Sequence, residues 1–205
     1  MDKTLAYKVI DALNKYLNEE NVQPFRSELE PIAERLGAKL RSGATRWAFV
    51  FEKHQMVVKF PRYEDTDEDY CELELENYIK ARDEYKVERC LLPIEYVDET
   101  ANGIPIYIQP MYTFSHEGMD YGTSERWVRK LHGLHRAEIV RKVERGCLYS
   151  PPRLWVERAI QIYGKAFMRS FEQWSKDCKV DDLHSSNVGY LGKQPIIIDY
   201  AGYHG

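Results

Sequence analysis

The sequence predicts an α+β fold in two parts, a strand-rich stretch over residues 38–112 and a mainly helical remainder. Short β-branched and aromatic runs, separated by Gly-containing turns, mark the first part. Apolar residues recur at helical spacing before residue 37 and after residue 124. Pro110 and the pair Pro151-Pro152 interrupt the pattern and set boundaries. With 205 residues, 43% hydrophobic and 13% aromatic, the chain can bury a substantial core.

Leu5, Val9, Leu13, Tyr16 and Leu17 predict an amphipathic helix over residues 2–19. A second short helix follows: Ser27 and Glu30 have capping-box spacing, Pro31 suits a first turn, and Gly37 is a natural stop. Residues 38–42, 47–51 and 56–60 then read as an antiparallel meander, turning at Gly43-Ala44-Thr45 and at Lys53-His54. In Val57-Val58-Lys59-Phe60, alternation puts Lys59 on the face of Val57 and opposite Val58 and Phe60. Such a lysine either snorkels at a sheet edge or is aimed into a cleft.

Residues 63–86 open on an acidic run that suits a helix N-terminus and continue as a helix with Cys71, Leu75 and Tyr78 on one face. Glu74 falls on that face and wants a cation, for which Lys59 is a candidate. Strands over 90–97 and 104–109 are joined through Asn102-Gly103, a hairpin signal. Ser124 can cap a helix whose outer face carries Arg126, Arg129, Lys130, Arg136, Arg141, Lys142 and Arg145. That face either docks an acidic partner or phosphate or is simply solvated. His132 and His135 lack a third metal ligand in view. After the break at 149–152, residues 154–174 predict one long helix burying Ala159, Ile162, Ala166 and Phe171.

The net charge of −4 and pI near 5.9 argue against a whole-surface nucleic-acid binder. No run approaches the ~20 apolar residues of a membrane span. Met1-Asp2-Lys3 opens no secretory leader. Cys71, Cys90, Cys147 and Cys178 are isolated, which points to a reducing cytoplasm and not to a disulfide framework or zinc knuckle.

The stretch that looks built for chemistry is Asp182-Leu183-His184-Ser185-Ser186-Asn187, followed after a short strand by Ile198-Asp199-Tyr200. The order Asp, Asn, Asp suits a metal-nucleotide site: one carboxylate faces an attacking hydroxyl, while an amide and a second carboxylate hold Mg²⁺ against phosphates.

In this order the motifs resemble the protein-kinase-like superfamily, and in detail its aminoglycoside phosphotransferase and choline kinase branch. Asp182 to Asn187 is similar to that branch's D-L-H-x-x-N catalytic loop, and Ile198-Asp199-Tyr200 to its metal motif. The resemblance implies a two-lobed fold: a helical extension over 1–37, an N-lobe of five-stranded antiparallel sheet plus helix over 38–112, and a reduced helical C-lobe over 113–205. It implies that Lys59 contacts the α- and β-phosphates of ATP and pairs with Glu74, Glu72 and Glu76 being alternatives. Asp182 would orient or deprotonate the acceptor hydroxyl, and Asn187 and Asp199 would hold Mg²⁺. Ser42-Gly43 would cover the phosphates, and Ile108 to Met111, including Gln109, would form an adenine-reading hinge.

The sequence departs from that family in four places. The glycine-rich loop is reduced to Gly43, with Arg46 and Trp47 beside it, and Val180-Asp181 precedes Asp182. Tyr200-Ala201 follows Asp199, and no activation segment follows it before Gly205. The expected partners are therefore ATP and a hydroxyl-bearing protein or small-molecule acceptor, recognised through residues 114–150 or the N-terminal helices. The alternative is a nucleotide-binding or non-catalytic pseudokinase that acts on a protein partner.

Overall fold

The computed structural model describes residues 1–17, 24–62, 69–112, 152–183 and 186–201. They form two compact units, one made of Met1–Leu75 with Pro93–Tyr112 and the other of Glu76–Leu92 with the described part of Thr113–Gly205. Helices and antiparallel strands both occur, so the class is α+β.

The first unit opens with helices α1 (Thr4–Tyr16) and α2 (Arg26–Arg35). Asp2 accepts the Thr4 N–H at 3.0 Å and starts α1. Ala6, Val9, Ile10 and Leu13 face inward. Tyr16, expected on that face, is exposed instead, and the Arg35 guanidinium lies 4.5 Å from its ring centre. The start of α2 also differs from the sequence reading. Phe25 is the N-cap, its N–H donates to the Glu28 carboxylate at 2.8 Å, and Ser27 lies inside the first turn. Pro31 is therefore interior, and the Ser27 carbonyl receives no N–H from it. Gly37 terminates α2 with φ +70°, and Ala38 N–H reaches Ala33 O while Gly37 N–H reaches Glu34 O. This is the paired bond pattern of a left-handed glycine cap.

Five antiparallel strands follow: β1 (Lys39–Ser42), β2 (Arg46–Phe51), β3 (Met56–Pro61), β4 (Glu95–Glu99) and β5 (Pro105–Pro110), in the order β1-β2-β3-β5-β4. Trp47, Phe49 and Phe51 alternate inward from β2, as do Met56, Val58 and Phe60 from β3. Their face shares one core with the inner residues of α1 and α2, so both helices are built into the sheet's packing. The strand expected over 90–97 begins only at Glu95. Pro93 lacks the N–H a strand interior needs, and Leu91 and Leu92 belong to the second unit, where they bridge to Ile197.

Helix α3 runs Tyr70–Lys80, within the 63–86 expected; residues 63–68 lie outside the described residues. Asp69 caps it, its Oδ1 accepting the N–H groups of Cys71 (2.8 Å) and Glu72 (3.2 Å). It continues as a π turn over Ala81–Tyr85 and ends at Lys86 with φ +59°. Its buried stripe is Cys71, Glu74, Asn77 and Ala81; Cys71 and Glu74 were expected there, whereas Leu75 and Tyr78, expected beside them, are half-buried.

The second unit contains α4 (Arg153–Asp177), β6 (Val188–Leu191) and β7 (Gln194–Ile197), with β6 and β7 forming an antiparallel hairpin. The single helix expected over 154–174 is broken at Gly164, whose φ of 85° and ψ of 164° are essentially confined to glycine. The break resets the helical phase. Trp155, Val156 and Ala159 are buried before it and Phe167, Met168, Phe171 and Trp174 after it, whereas Ile162 and Ala166, expected inside, are exposed. Around the break, the Arg89 guanidinium lies 4.5 Å from the Phe167 ring centre, and the Tyr163 hydroxyl donates to Pro195 O at 2.8 Å. Gly164→Ala is expected to cost about 1–3 kcal/mol, seen as a lower urea midpoint at unchanged slope.

The basic segment 126–145, His132, His135, Cys147, His184 and Ser185 lie outside the described residues. Among the described residues, no helix is long and apolar enough to cross a membrane.

Candidate functional site

In the first unit, register fixes which side chains meet. Lys59 lies directly opposite Ala48 on β2 and Tyr107 on β5, and Val57 opposite Val50 and Gln109. Opposed residues share a face, so Arg46, Ala48, Val50, Val57, Lys59, Tyr107 and Gln109 line the side turned away from the core. Because β3 is the central strand, Lys59 is not snorkelling at a sheet edge.

Lys59 meets Glu74, its Nζ 3.0 and 3.3 Å from the two carboxylate oxygens. Glu74 is wholly buried, while Glu72 and Glu76 are exposed. Two further groups that the sequence reading did not place there reach the same carboxylate: Arg46 Nη1 at 2.7 Å and Gln109 Nε2 at 3.4 Å. A buried carboxylate is stable only when paired and hydrogen-bonded, and this one is. The signal for Arg46 was available in part, since two residues before Ala48 it shares the Lys59 face by alternation. Its reach to Glu74 depends on where α3 packs, which no local pattern encodes.

Asp69 holds α3 in place from two sides. Its Oδ1 caps the helix, and its Oδ2 accepts the Tyr107 hydroxyl at 2.8 Å. Burial and the Asp69 carboxylate together push the Tyr107 phenol far above its ordinary range. The neighbouring Cys71 thiol, set among Arg46, Asp69, Lys59 and Glu74, is likewise pushed up by burial and is no nucleophile at neutral pH.

The remaining first-unit candidates are placed as follows. Ser42 ends β1 opposite Trp47, and the turn beyond it is closed by the Gly43 N–H donating to Arg46 O at 2.9 Å. Arg62 Nη1 donates to Gly43 O at 3.2 Å, and its guanidinium lies 5.0 Å from the Trp47 ring centre. The turn is thus a pinned hairpin with its glycine N–H already committed. The Gln109 side chain is buried toward Glu74, and the Met111 N–H donates to Gln55 O at 2.7 Å. The two hinge candidates therefore already use these groups within the protein.

In the second unit, Asn187 connects the other two candidates of the terminal stretch, Asp182 and Asp199. Its Nδ2 donates to the main-chain oxygen of Asp182 at 2.7 Å and to the Asp182 carboxylate at 3.2 Å. Its main-chain oxygen accepts the N–H of Ile198 at 2.7 Å and that of Asp199 at 3.4 Å. Asp182, Asn187 and Asp199 are half-buried. With the amide nitrogen bound to Asp182, the Asn187 Oδ1 is the atom left to face a cation, and the Asp199 carboxylate is the second hard oxygen donor. Two such donors suit Mg²⁺, which takes few protein ligands and fills its octahedron with water and phosphate oxygens. Among the described residues, no group of three His, Cys, Asp or Glu side chains could hold a metal.

The residue after Asp199 is fixed from several directions. Tyr200 is buried, its hydroxyl donates to Leu92 O, and its ring meets Trp174 edge-on at 6.2 Å. Asn77 Nδ2 donates to Tyr200 O at 3.0 Å, and Trp174 Nε1 donates to Asn77 O at 2.9 Å. Asn77 and Tyr200 are 123 positions apart, so sequence spacing carried no sign of this clamp.

Comparison of the chain with protein-family models, with curated proteins and with solved structures gave no match. What fold and site define is an α+β protein with a buried cation–carboxylate centre in one unit and a hydrogen-bonded Asp–Asn–Asp cluster in the other.

Proposed function

We propose that the chain is an ATP- and Mg²⁺-dependent phosphotransferase with a minimal, two-lobed protein-kinase-like fold, acting in the cytoplasm on a hydroxyl of a protein or small molecule. The observation that carries this reading is the bridge that Asn187 makes between Asp182 and the backbone of Asp199. Phosphoryl transfer depends on positioning and charge neutralisation more than on covalent chemistry, so a base, two metal ligands and a phosphate-facing cation suffice. Asp182 orients the acceptor hydroxyl and receives its proton. Asn187 Oδ1 and Asp199 hold Mg²⁺, which when bound supplies neutralisation of phosphate charge. Lys59, oriented by Glu74, contacts the phosphates.

A second reading, a nucleotide-binding or non-catalytic pseudokinase, is favoured by the pinned Ser42-Gly43 turn and by the committed Met111 N–H. Thermal unfolding separates the two readings. A ligand at about a hundred times its dissociation constant stabilises the native state by about 2.7 kcal/mol, a rise of several degrees. The phosphotransferase reading expects that rise with ATP and Mg²⁺ together, a smaller one with ATP alone, and loss of the Mg²⁺-dependent part in Asp199→Asn. A rise without turnover supports the pseudokinase; no rise with ATP and Mg²⁺ removes nucleotide binding altogether.

A further inference from the structure

Asp199 lies beyond β7, which ends at Ile197, so no strand ladder holds it. A carboxylate that ligates a metal needs its orientation fixed in advance, and the hydrogen bonds around it do this. The Asp199 N–H donates to Asn187 O at 3.4 Å, which places the main chain. Its Oδ1 accepts the N–H of Ala201 at 3.5 Å, which turns the carboxylate over the next peptide but one. The peptide between Tyr200 and Ala201 therefore aims the carboxylate.

The carbonyl of that same peptide is held by Asn77. Its Nδ2 donates to Tyr200 O at 3.0 Å and, by a longer bond, to Ala201 O at 3.5 Å. The peptide is trans, so its C=O and N–H point in opposite directions from one rigid plane. Anchoring the Tyr200 carbonyl on Asn77 thus sets the direction from which the Ala201 N–H meets Asp199. Asn77 is itself well anchored: it lies in helix α3, is 5% exposed, and its main-chain oxygen accepts Trp174 Nε1–H at 2.9 Å. Asparagine is a poor helix former, and burying its amide takes polar atoms out of water. An apolar side chain would fill the position without that cost but could not donate.

We propose that Asn77 is a positioning residue for the metal site: its amide orients the Tyr200–Ala201 peptide, and the N–H of that peptide orients the Asp199 carboxylate toward a divalent cation. This rests on the Mg²⁺ reading above. Asn77 acts through the peptide and not as a ligand.

The test uses Mn²⁺, which takes the same oxygen donors as Mg²⁺. Binding of the Mn²⁺ complex of a non-hydrolysable ATP analogue is followed by water-proton relaxation, and binding of the metal-free analogue by calorimetry. The proteins are wild type, Asn77→Ala, Asn77→Asp, Asp199→Asn and Gly164→Ala. Asn77→Asp keeps the size of the side chain and removes both N–H donors. Wild type is expected to bind the Mn²⁺ complex more tightly than the metal-free analogue, and Asp199→Asn to lose that difference. Both Asn77 variants should weaken the Mn²⁺ complex by about tenfold to a hundredfold, as loss of an outer hydrogen bond does at metal sites, and leave the metal-free analogue unchanged. Gly164→Ala, destabilised in the same unit, should bind both as wild type does. Should Asn77→Ala not fold by circular dichroism, Asn77→Asp carries the same comparison. Wild-type affinity for the Mn²⁺ complex in the Asn77 variants would overturn the proposal and leave the Mg²⁺ reading standing. So would an equal loss for the metal-free analogue, or an equal loss in Gly164→Ala. A wild type that gains nothing from Mn²⁺, or an Asp199→Asn that gains as much, overturns both.

Discussion

Glu74→Ala is expected to destabilise the protein by about 3–5 kcal/mol, because it strips a buried ion cluster of the carboxylate that Arg46 and Lys59 share. Arg46 and Lys59 would be left as neighbouring like charges, and Gln109 Nε2 would lose an acceptor. Removing either cation alone is a smaller insult, since Glu74 keeps the other partner: about 1–3 kcal/mol for a charged hydrogen bond lost. Removing both leaves a wholly buried carboxylate with no cation bound to it, so Arg46→Met with Lys59→Met should cost more than the two single changes added. Urea denaturation of the four variants checks this. Additive single effects, or a Glu74→Ala protein as stable as wild type, would show that the cluster is not the electrostatic unit its geometry describes.

Asp182→Ala is expected to lower kcat for phosphoryl transfer by about 10²- to 10⁴-fold, the usual contribution of a positioned general base. KM for ATP and the unfolding midpoint should stay near wild type. The reason lies in how Asn187 is anchored: of its two bonds to Asp182, the shorter, 2.7 Å, goes to the main-chain oxygen, which survives the substitution, and the 3.2 Å bond goes to the carboxylate. Steady-state kinetics beside a urea curve separates the two effects. A fall in KM-based affinity matched by a fall in stability would instead make Asp182 a structural residue.

Much of this arrangement was legible in the sequence because it obeys short periods. Alternation along Val57-Val58-Lys59-Phe60 already put Lys59 opposite the core side chains, and the stripe through Cys71 already put Glu74 inward. The hairpin at Asn102-Gly103 was equally local; Gly103 has the φ of +79° its turn requires. What escaped depends on tertiary packing. Strand order, which makes β3 central and denies Lys59 a sheet edge, follows from pairing between distant segments. An isolated glycine in a helical pattern does not announce a break, and at Gly164 the break is held by Arg89 and by the bond from Tyr163 to Pro195, groups far away in the chain. The clamp of Asn77, Trp174 and Leu92 on Tyr200 is of the same kind. At β4, the apolar run from Cys90 suggested a strand that Pro93 and a bridge to Ile197 forbid. In each case the local pattern was real and a longer-range contact decided the outcome.

The proposed chemistry turns on the fate of the γ-phosphoryl group. Wild-type protein, Asp182→Ala and Asp199→Asn should each be incubated with Mg²⁺ and γ-labelled ATP, with the label followed into phosphate and protein and the intact mass recorded. A phosphotransferase gives Mg²⁺-dependent release or transfer of the label by wild type alone, with any mass gain equal to one or more phosphoryl groups. Label that stays in ATP, or equal activity in all three proteins, would contradict it.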